Sequence, residues 1–246
     1  MTYCVAMLLD TGLVFLSDSR TNAGVDQVNT FRKTTVFEKT GQRVLVLQSA
    51  GNLAVTQSVI SLLHDEALAG SESGHLMNCQ SIYDAACLVG TALRTVHARD
   101  AESLKKFGLD FNPMFILGGQ IHGERPRLFN IYSAGNFIEA TPETTYFQIG
   151  ESKYGKPIID RVIRRSSSLA EACKCALISM DSTIRSNLSE GLPLDLVVVR
   201  RDALAVARHA SIDADNAYFR SISSGWGEAL RHAFVQLPDH DWLAGR

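Results

Sequence analysis

Apolar positions in the first fifty residues fall into short runs separated by turn chemistry. Residues 3–9 and 13–17 are apolar and flank Asp10-Thr11-Gly12, which reads as a hairpin. A second strand pair, 33–38 and 43–48, surrounds Lys39-Thr40-Gly41. Alternation along these runs is incomplete, the pattern expected of strands covered on both faces. The period then changes. Asn52 stands as a helix cap before Val55, Val59, Leu62 and Leu63, with Gly70 near the end of that helix. A second helical stretch, 81–106, carries Ala86, Val89, Leu93 and Val96 at helical spacing, and Gly108 and Pro113 mark its end.

Strand signals return at 114–117, 127–133, 137–140 and 146–149, separated by Gly, Pro or Asn. Helices at 156–165 and 168–187 follow, then a hairpin of 194–200 and 203–210 about Arg201-Asp202, and a helical tail at 226–235 ahead of Pro238. No internal repeat, low-complexity segment or interdomain linker interrupts the pattern. Two strand-rich blocks, each followed by a helix pair, predict two packed sheets with helices outside. The expectation is an α+β, four-layer αββα sandwich in one domain covering 1–246.

Composition narrows the function classes. With 246 residues, 46% hydrophobic and 20% charged, the chain has apolar material for one large core. A net charge of −2 without a basic block argues against nucleic acid as the main partner. Five cysteines without framework spacing fit a reducing, cytoplasmic setting. No run is long enough to span a bilayer. The first apolar run lacks a basic lead-in and is broken at Asp10 and Gly12, so neither membrane insertion nor a signal peptide is expected. On this reading only Met1 has to leave to expose the second residue.

That residue is Thr2. A small side chain at position two permits methionine removal, which leaves a hydroxyl and a free α-amine on one residue, a nucleophile with its own base. An unperturbed α-amine titrates at about 7.7–8.0, already close to working pH. Asp18 closes one strand and Lys33 opens another. If those strands neighbour the first, all three residues meet at one sheet edge. An ammonium beside Thr2 favours the alkoxide and depresses the pKa of the amine, and when buried it needs a counterion, for which Asp18 is available. Gly51, in Ser49-Ala50-Gly51 between a strand and a helix, can aim its N–H at an oxyanion. Each residue has an ordinary explanation on its own: processing, a turn end, a snorkelling lysine, a tight turn. Together they describe one site.

The opening Thr-Tyr-Cys-Val-Ala-Met-Leu-Leu-Asp-Thr-Gly-Leu-Val-Phe-Leu-Ser-Asp-Ser-Arg-Thr-Asn resembles the start of a proteasome β-type subunit. The stretch from Ser17 to Asp26, with Phe31-Arg32-Lys33 and Ser49-Ala50-Gly51-Asn52, resembles more closely the bacterial ancestral β-subunit branch, Anbu, and the absence of a propeptide ahead of Thr2 agrees with that branch. The resemblance implies the N-terminal nucleophile hydrolase fold and a threonine peptidase. Thr2 would be the nucleophile, its α-amine the base, Lys33 the tuning cation, Asp18 its anchor and Gly51 the oxyanion donor. It further implies that Asp181 and Ser182 support the amine, with Ser186 competing for the role of Ser182. Gly135-Asn136 stands where the family usually has Gly-Ser. Partners implied are a peptide or unfolded-protein substrate and further copies of the chain, in a ring or an open spiral. No cofactor is implied, and no ATPase signature is present.

Other candidates carry less. Cys4 shares the strand parity of Thr2 but reads as a small buried residue. Cys173-x-Cys175 puts its thiols on different sides of a helix and lacks a second ligand pair, and Gly118-Gly119 lacks the Lys-Ser/Thr of a phosphate loop. Three readings remain open: a threonine peptidase, a small-amide hydrolase or acyl transferase of the same fold, and a self-assembling scaffold.

Overall fold

The computed structural model describes residues 2–22, 28–69 and 74–243. Met1, Gly70 and residues 23–26 of the family-like stretch lie outside the described residues. In chain order the elements are β1 (Tyr3–Leu9), β2 (Gly12–Asp18), β3 (Arg20–Asn22), β4 (Val28–Thr30), β5 (Thr34–Lys39) and β6 (Arg43–Ala50). Helices α1 (Leu53–Ala69) and α2 (Ile82–Lys106) follow, then β7 (Met114–Ile121), β8 (Arg127–Ile131), β9 (Phe137–Glu139) and β10 (Tyr146–Gly150). The chain continues through α3 (Lys156–Val162), α4 (Leu169–Ser186), β11 (Leu194–Arg200), β12 (Val206–Ile212) and α5 (Ala217–Val235).

Strand β1 shows how the layers arise. Successive side chains on a strand point to opposite faces. Tyr3, Val5, Met7 and Leu9 pack with Ile159, Cys175, Met180, Phe219 and Ile222 of α3, α4 and α5. Cys4, Ala6 and Leu8 face the other way, onto Val44, Val46, Ile116 and Leu128 of the second sheet. The first sheet runs β10-β1-β2-β11-β12 and the second β5-β6-β7-β8-β9, with antiparallel neighbours throughout. Helices α1 and α2 cover the outer face of the second sheet through Val55, Val59, Leu63, Ile82, Val89 and Leu93. Helices outside two packed sheets give the αββα order expected from the pattern. The inner strands β1, β2, β6, β7 and β11 are buried on both faces and read as near-continuous apolar runs, whereas the edge strand β12 is largely exposed.

Several local expectations shift. Strands β3 and β4 form a small ribbon of their own that the pattern did not announce. Helix α5 starts at Ala217, not at 226: Asn216 caps it by accepting the Phe219 N–H, and Gly225 and Gly227 inside the helix obscured its period. Strand β12 starts at Val206, since Asp202 and Leu204 take positive φ of 65° and 48°. Gln120 holds that turn, its Oε1 accepting the Asp202 N–H at 2.8 Å and its Nε2 donating to Asp202 Oδ1 at 2.7 Å. Gly118-Gly119 lies inside β7, where a Cβ on Gly118 would come within 2.8 Å of the Phe15 ring and 2.7 Å of Leu128. Gly118 lets the two sheets approach each other, while Gly119 lies against the Val44 carbonyl of β6 in its own sheet.

Candidate active site

Register decides what surrounds Thr2. Tyr3 pairs with Gly150 of β10 and Cys4 with Ser17 of β2, so the residue before β1 lies between the end of β2 and the loop leaving β10. The Thr2 carbonyl accepts the Glu151 N–H at 2.7 Å. A Cβ on Gly150, which has a φ of +81°, would overlap that carbonyl at 1.8 Å. Glycine is therefore required for the loop to close on Thr2.

Asp18 ends β2 and is fully buried. Its Oδ1 accepts the Tyr3 N–H at 3.0 Å, which ties the carboxylate to the residue after Thr2. Lys33, immediately before β5 and only 5% exposed, donates from Nζ to both carboxylate oxygens at 2.7 Å and to the Arg20 carbonyl at 2.7 Å. An ammonium has three protons, so Lys33 is fully paired. Burial pushes the Asp18 carboxyl up from its ordinary value, while the Lys33 ammonium and the Tyr3 N–H work against that rise. The Lys33 carbonyl in turn accepts the Ser49 N–H at 2.9 Å, which fixes the lysine beside the end of β6.

Gly51 follows β6 with a φ of +107°, and a Cβ there would come within 2.5 Å of the Asn112 carbonyl oxygen. Asn52 then caps α1, its Oδ1 accepting the Ala54 N–H at 3.0 Å. Thr2, Lys33, Ser49 and Gly51 line one cavity of about 780 Å³, together with Thr21, Asn52, Thr56, Asp110, Met114 and Glu151. That volume lies within the roughly 300–1,000 Å³ of small-molecule and peptide side-chain sites. Cys4 is wholly buried beneath it and donates its thiol to the Ser49 carbonyl at 3.6 Å. Burial pushes that thiol far up, away from the reactive thiolate.

Asp181 and Ser182 are not brought to this cavity. Both lie on α4 and line a different one with Arg185, Ser223, Ser224 and Trp226. Asp181 accepts the Arg185 Nε–H at 3.0 Å one turn along its own helix, and Arg185 donates onward to Ser223 Oγ at 2.6 Å. Ser186 lines that second cavity too. Gly135-Asn136 forms a turn against Gly90 of α2 and is absent from the Thr2 cavity lining.

No protein-family model matches the chain. A curated proteasome subunit beta of Haloquadratum walsbyi is 25% identical over 214 residues, which are 86% of this chain and 79% of that protein. A solved structure of Anbu (ancestral beta-subunit) from Yersinia bercovieri is 56% identical with a TM-score of 0.91, covering 97% of this chain and 99% of that one. The chain belongs to the Anbu family. A second member, solved as the helical assembly of the Anbu complex from Pseudomonas aeruginosa, is 50% identical with a TM-score of 0.91 over 97% and 98% of the two chains. The fold is accordingly the proteasome-like N-terminal nucleophile hydrolase fold. No helix among the described residues is long and apolar enough to cross a membrane.

Within this Anbu chain one acidic residue near the site went unnoticed in the sequence. Glu190 is fully buried, and neither of its carboxyl oxygens has a hydrogen-bond partner among the described residues. Burial and then repulsion from Asp18 raise it from the ordinary 4.5 to about 7. Its only sequence signal is the Ser-Glu-Gly-Leu-Pro turn between α4 and β11, where an acid looks solvated.

Proposed function

We propose that this Anbu protein, once Met1 is removed, is an N-terminal threonine hydrolase that cleaves peptide or related amide bonds. The observation that carries this is the fully paired, buried Lys33–Asp18 ion pair at the wall of the cavity that holds Thr2 and Gly51. Thr2 Oγ attacks the substrate carbonyl carbon while its proton passes to the α-amine. The Gly51 N–H stabilises the oxyanion. Collapse of the tetrahedral species breaks the C–N bond, and the leaving amine takes the proton back from the α-ammonium. Water then attacks the Thr2 ester, again losing its proton to the amine, and the carboxylic acid product departs with Thr2 restored.

Assembly enters the proposal through the end of α5 and the residues after it. Leu230, Phe234 and Leu237 are 50%, 76% and 68% exposed and line one apolar groove of the kind that subunit contacts cover. That groove, with the helical assembly of the Pseudomonas relative, supports self-association into a ring-like or open-spiral particle. It also favours a second reading, a scaffold that assembles without turnover.

One experiment separates the two readings. Particles prepared with and without Met1 are sized, then treated with a peptide boronate or epoxyketone and assayed on a model peptide. The hydrolase reading expects an adduct on Thr2 in the processed form, none on Thr2→Ala, and persistence in Cys4→Ala. Turnover should drop at least about 10²–10⁴-fold when Met1 is retained, because an amide nitrogen cannot act as the base. An assembled, processed particle without a Thr2 adduct would favour the scaffold.

A further inference from the structure

The loop between α4 and β11 grips the Thr2 end of β1 from both sides. On one side Asn187 Nδ2 donates to Glu151 Oε2 at 3.2 Å, and the Glu151 N–H holds the Thr2 carbonyl at 2.7 Å. On the other side the Arg20 guanidinium donates to the Leu188 carbonyl at 3.2 Å. The Ser19 N–H and hydroxyl reach the Pro193 carbonyl at 3.0 and 2.6 Å. Glu190 sits midway along this strap, fully buried, with both carboxyl oxygens unpartnered among the described residues.

A buried carboxyl group without a partner is unfavourable, and more so when ionised. The charged groups around it relieve it only in part. Asp18 and Glu151 are acids that repel it. Lys33 attracts it, but all three of its protons are placed on Asp18 and the Arg20 carbonyl. Arg20 is engaged at Leu188. The N-terminal ammonium also attracts it, and removal of Met1 moves that charge onto Thr2 itself, with donors to spare.

We infer that Glu190 receives the α-ammonium of Thr2, orienting the amine toward the Thr2 hydroxyl and stabilising the charge it takes on when it accepts the hydroxyl proton. This rests on the threonine hydrolase reading above and gives Glu190 the supporting role that the sequence resemblance gave to Asp181 and Ser182. Glu190 is a positioning residue and takes no proton itself. Its effect opposes that of Lys33: one group favours the charged amine, the other the neutral amine, and the working pKa is set between them. The rise of the Glu190 carboxyl to about 7 in the unpaired state is the cost that pairing removes.

The test uses full-length protein released from an N-terminal fusion so that Thr2 is the first residue. The α-amine pKa is measured by competitive acetylation with acetic anhydride across pH, read by mass spectrometry on the N-terminal peptide. Glu190→Gln should lower that pKa by about one unit or more, the scale of losing one nearby opposite charge. The acid limb of kcat/KM on a model peptide should move to lower pH with it. Glu190→Asp, which keeps the acid on a shorter stem, should move both by less. An α-amine pKa unchanged in folded Glu190→Gln overturns the inference. If that variant does not fold, Glu190→Leu, close in volume and without the acid, is measured instead, and an unchanged value there overturns it equally. Failure of the hydrolase reading is separate, since it appears as absent boronate labelling of Thr2 in the wild type whatever the amine pKa does.

Discussion

Two acid–base pairs in this molecule use the same chemistry and differ in surroundings. Asp18–Lys33 spans two strand ends, with side chains 0% and 6% exposed, and fills every donor of the lysine. Asp181–Arg185 sits one helical turn apart on α4; its arginine is 62% exposed while its aspartate side chain is 8% exposed. The first pair has little water to fall back on and holds its geometry through the sheet register. In the second the arginine can exchange with solvent, and an ion pair with one exposed partner on a helix surface contributes little, about 1 kcal/mol or less. An aspartate with a cationic partner is common on any surface. Burial against Thr2 gives the first pair its candidate role.

The comparison breaks most decisively at the buried pair. Asp18→Ala and Lys33→Ala are each expected to abolish turnover of a model peptide. Each should also destabilise the fold by about 3–5 kcal/mol, because the surviving charge is left buried without its partner. The double variant should turn over no worse than either single one, since residues acting as a unit lose function together. Denaturant unfolding alongside kinetics checks both halves. Losses in turnover that multiply would show that the two residues act independently.

A smaller effect is expected from the backbone beside the cavity. Gly51→Ala places a Cβ 2.5 Å from the Asn112 oxygen at a φ of +107°. Strain of this kind costs on the order of 1–3 kcal/mol. The same shift displaces the proposed oxyanion donor, so kcat should fall more than KM changes. Unchanged kinetics with lowered stability would leave Gly51 a turn residue only.

The smallest effect belongs to the pair on α4, whose arginine is exposed. Asp181→Asn should change stability by no more than about 1 kcal/mol and leave kcat/KM and its pH profile as in the wild type. A displaced pH profile would return Asp181 to the amine and count against the division drawn between the two pairs.

The αββα order was legible because covered strands and amphipathic helices have different periods, and each period is written in the order of side chains. Thr2, Asp18, Lys33 and Gly51 were legible as well, since three of them stand at strand ends that short connections bring to one edge. Helix α5 was half hidden, because Gly225 and Gly227 weaken a local propensity that packing through Phe219 and Ile222 overrides. The residues around the amine were not legible. Asp181 has the better motif, yet α4 turns it toward Arg185. Glu190 lies in an ordinary-looking turn, yet the grip of Asn187, Arg20 and Ser19 on its loop draws it inside. Local sequence carries hydrophobic period and turn chemistry, whereas the burial of a charge depends on which distant segments close over it. Thus the sequence by itself determined the layers and the meeting of Thr2, Asp18 and Lys33 in the candidate site. Only the tertiary structure decided which buried carboxylate near Thr2 was left without a partner among the described residues.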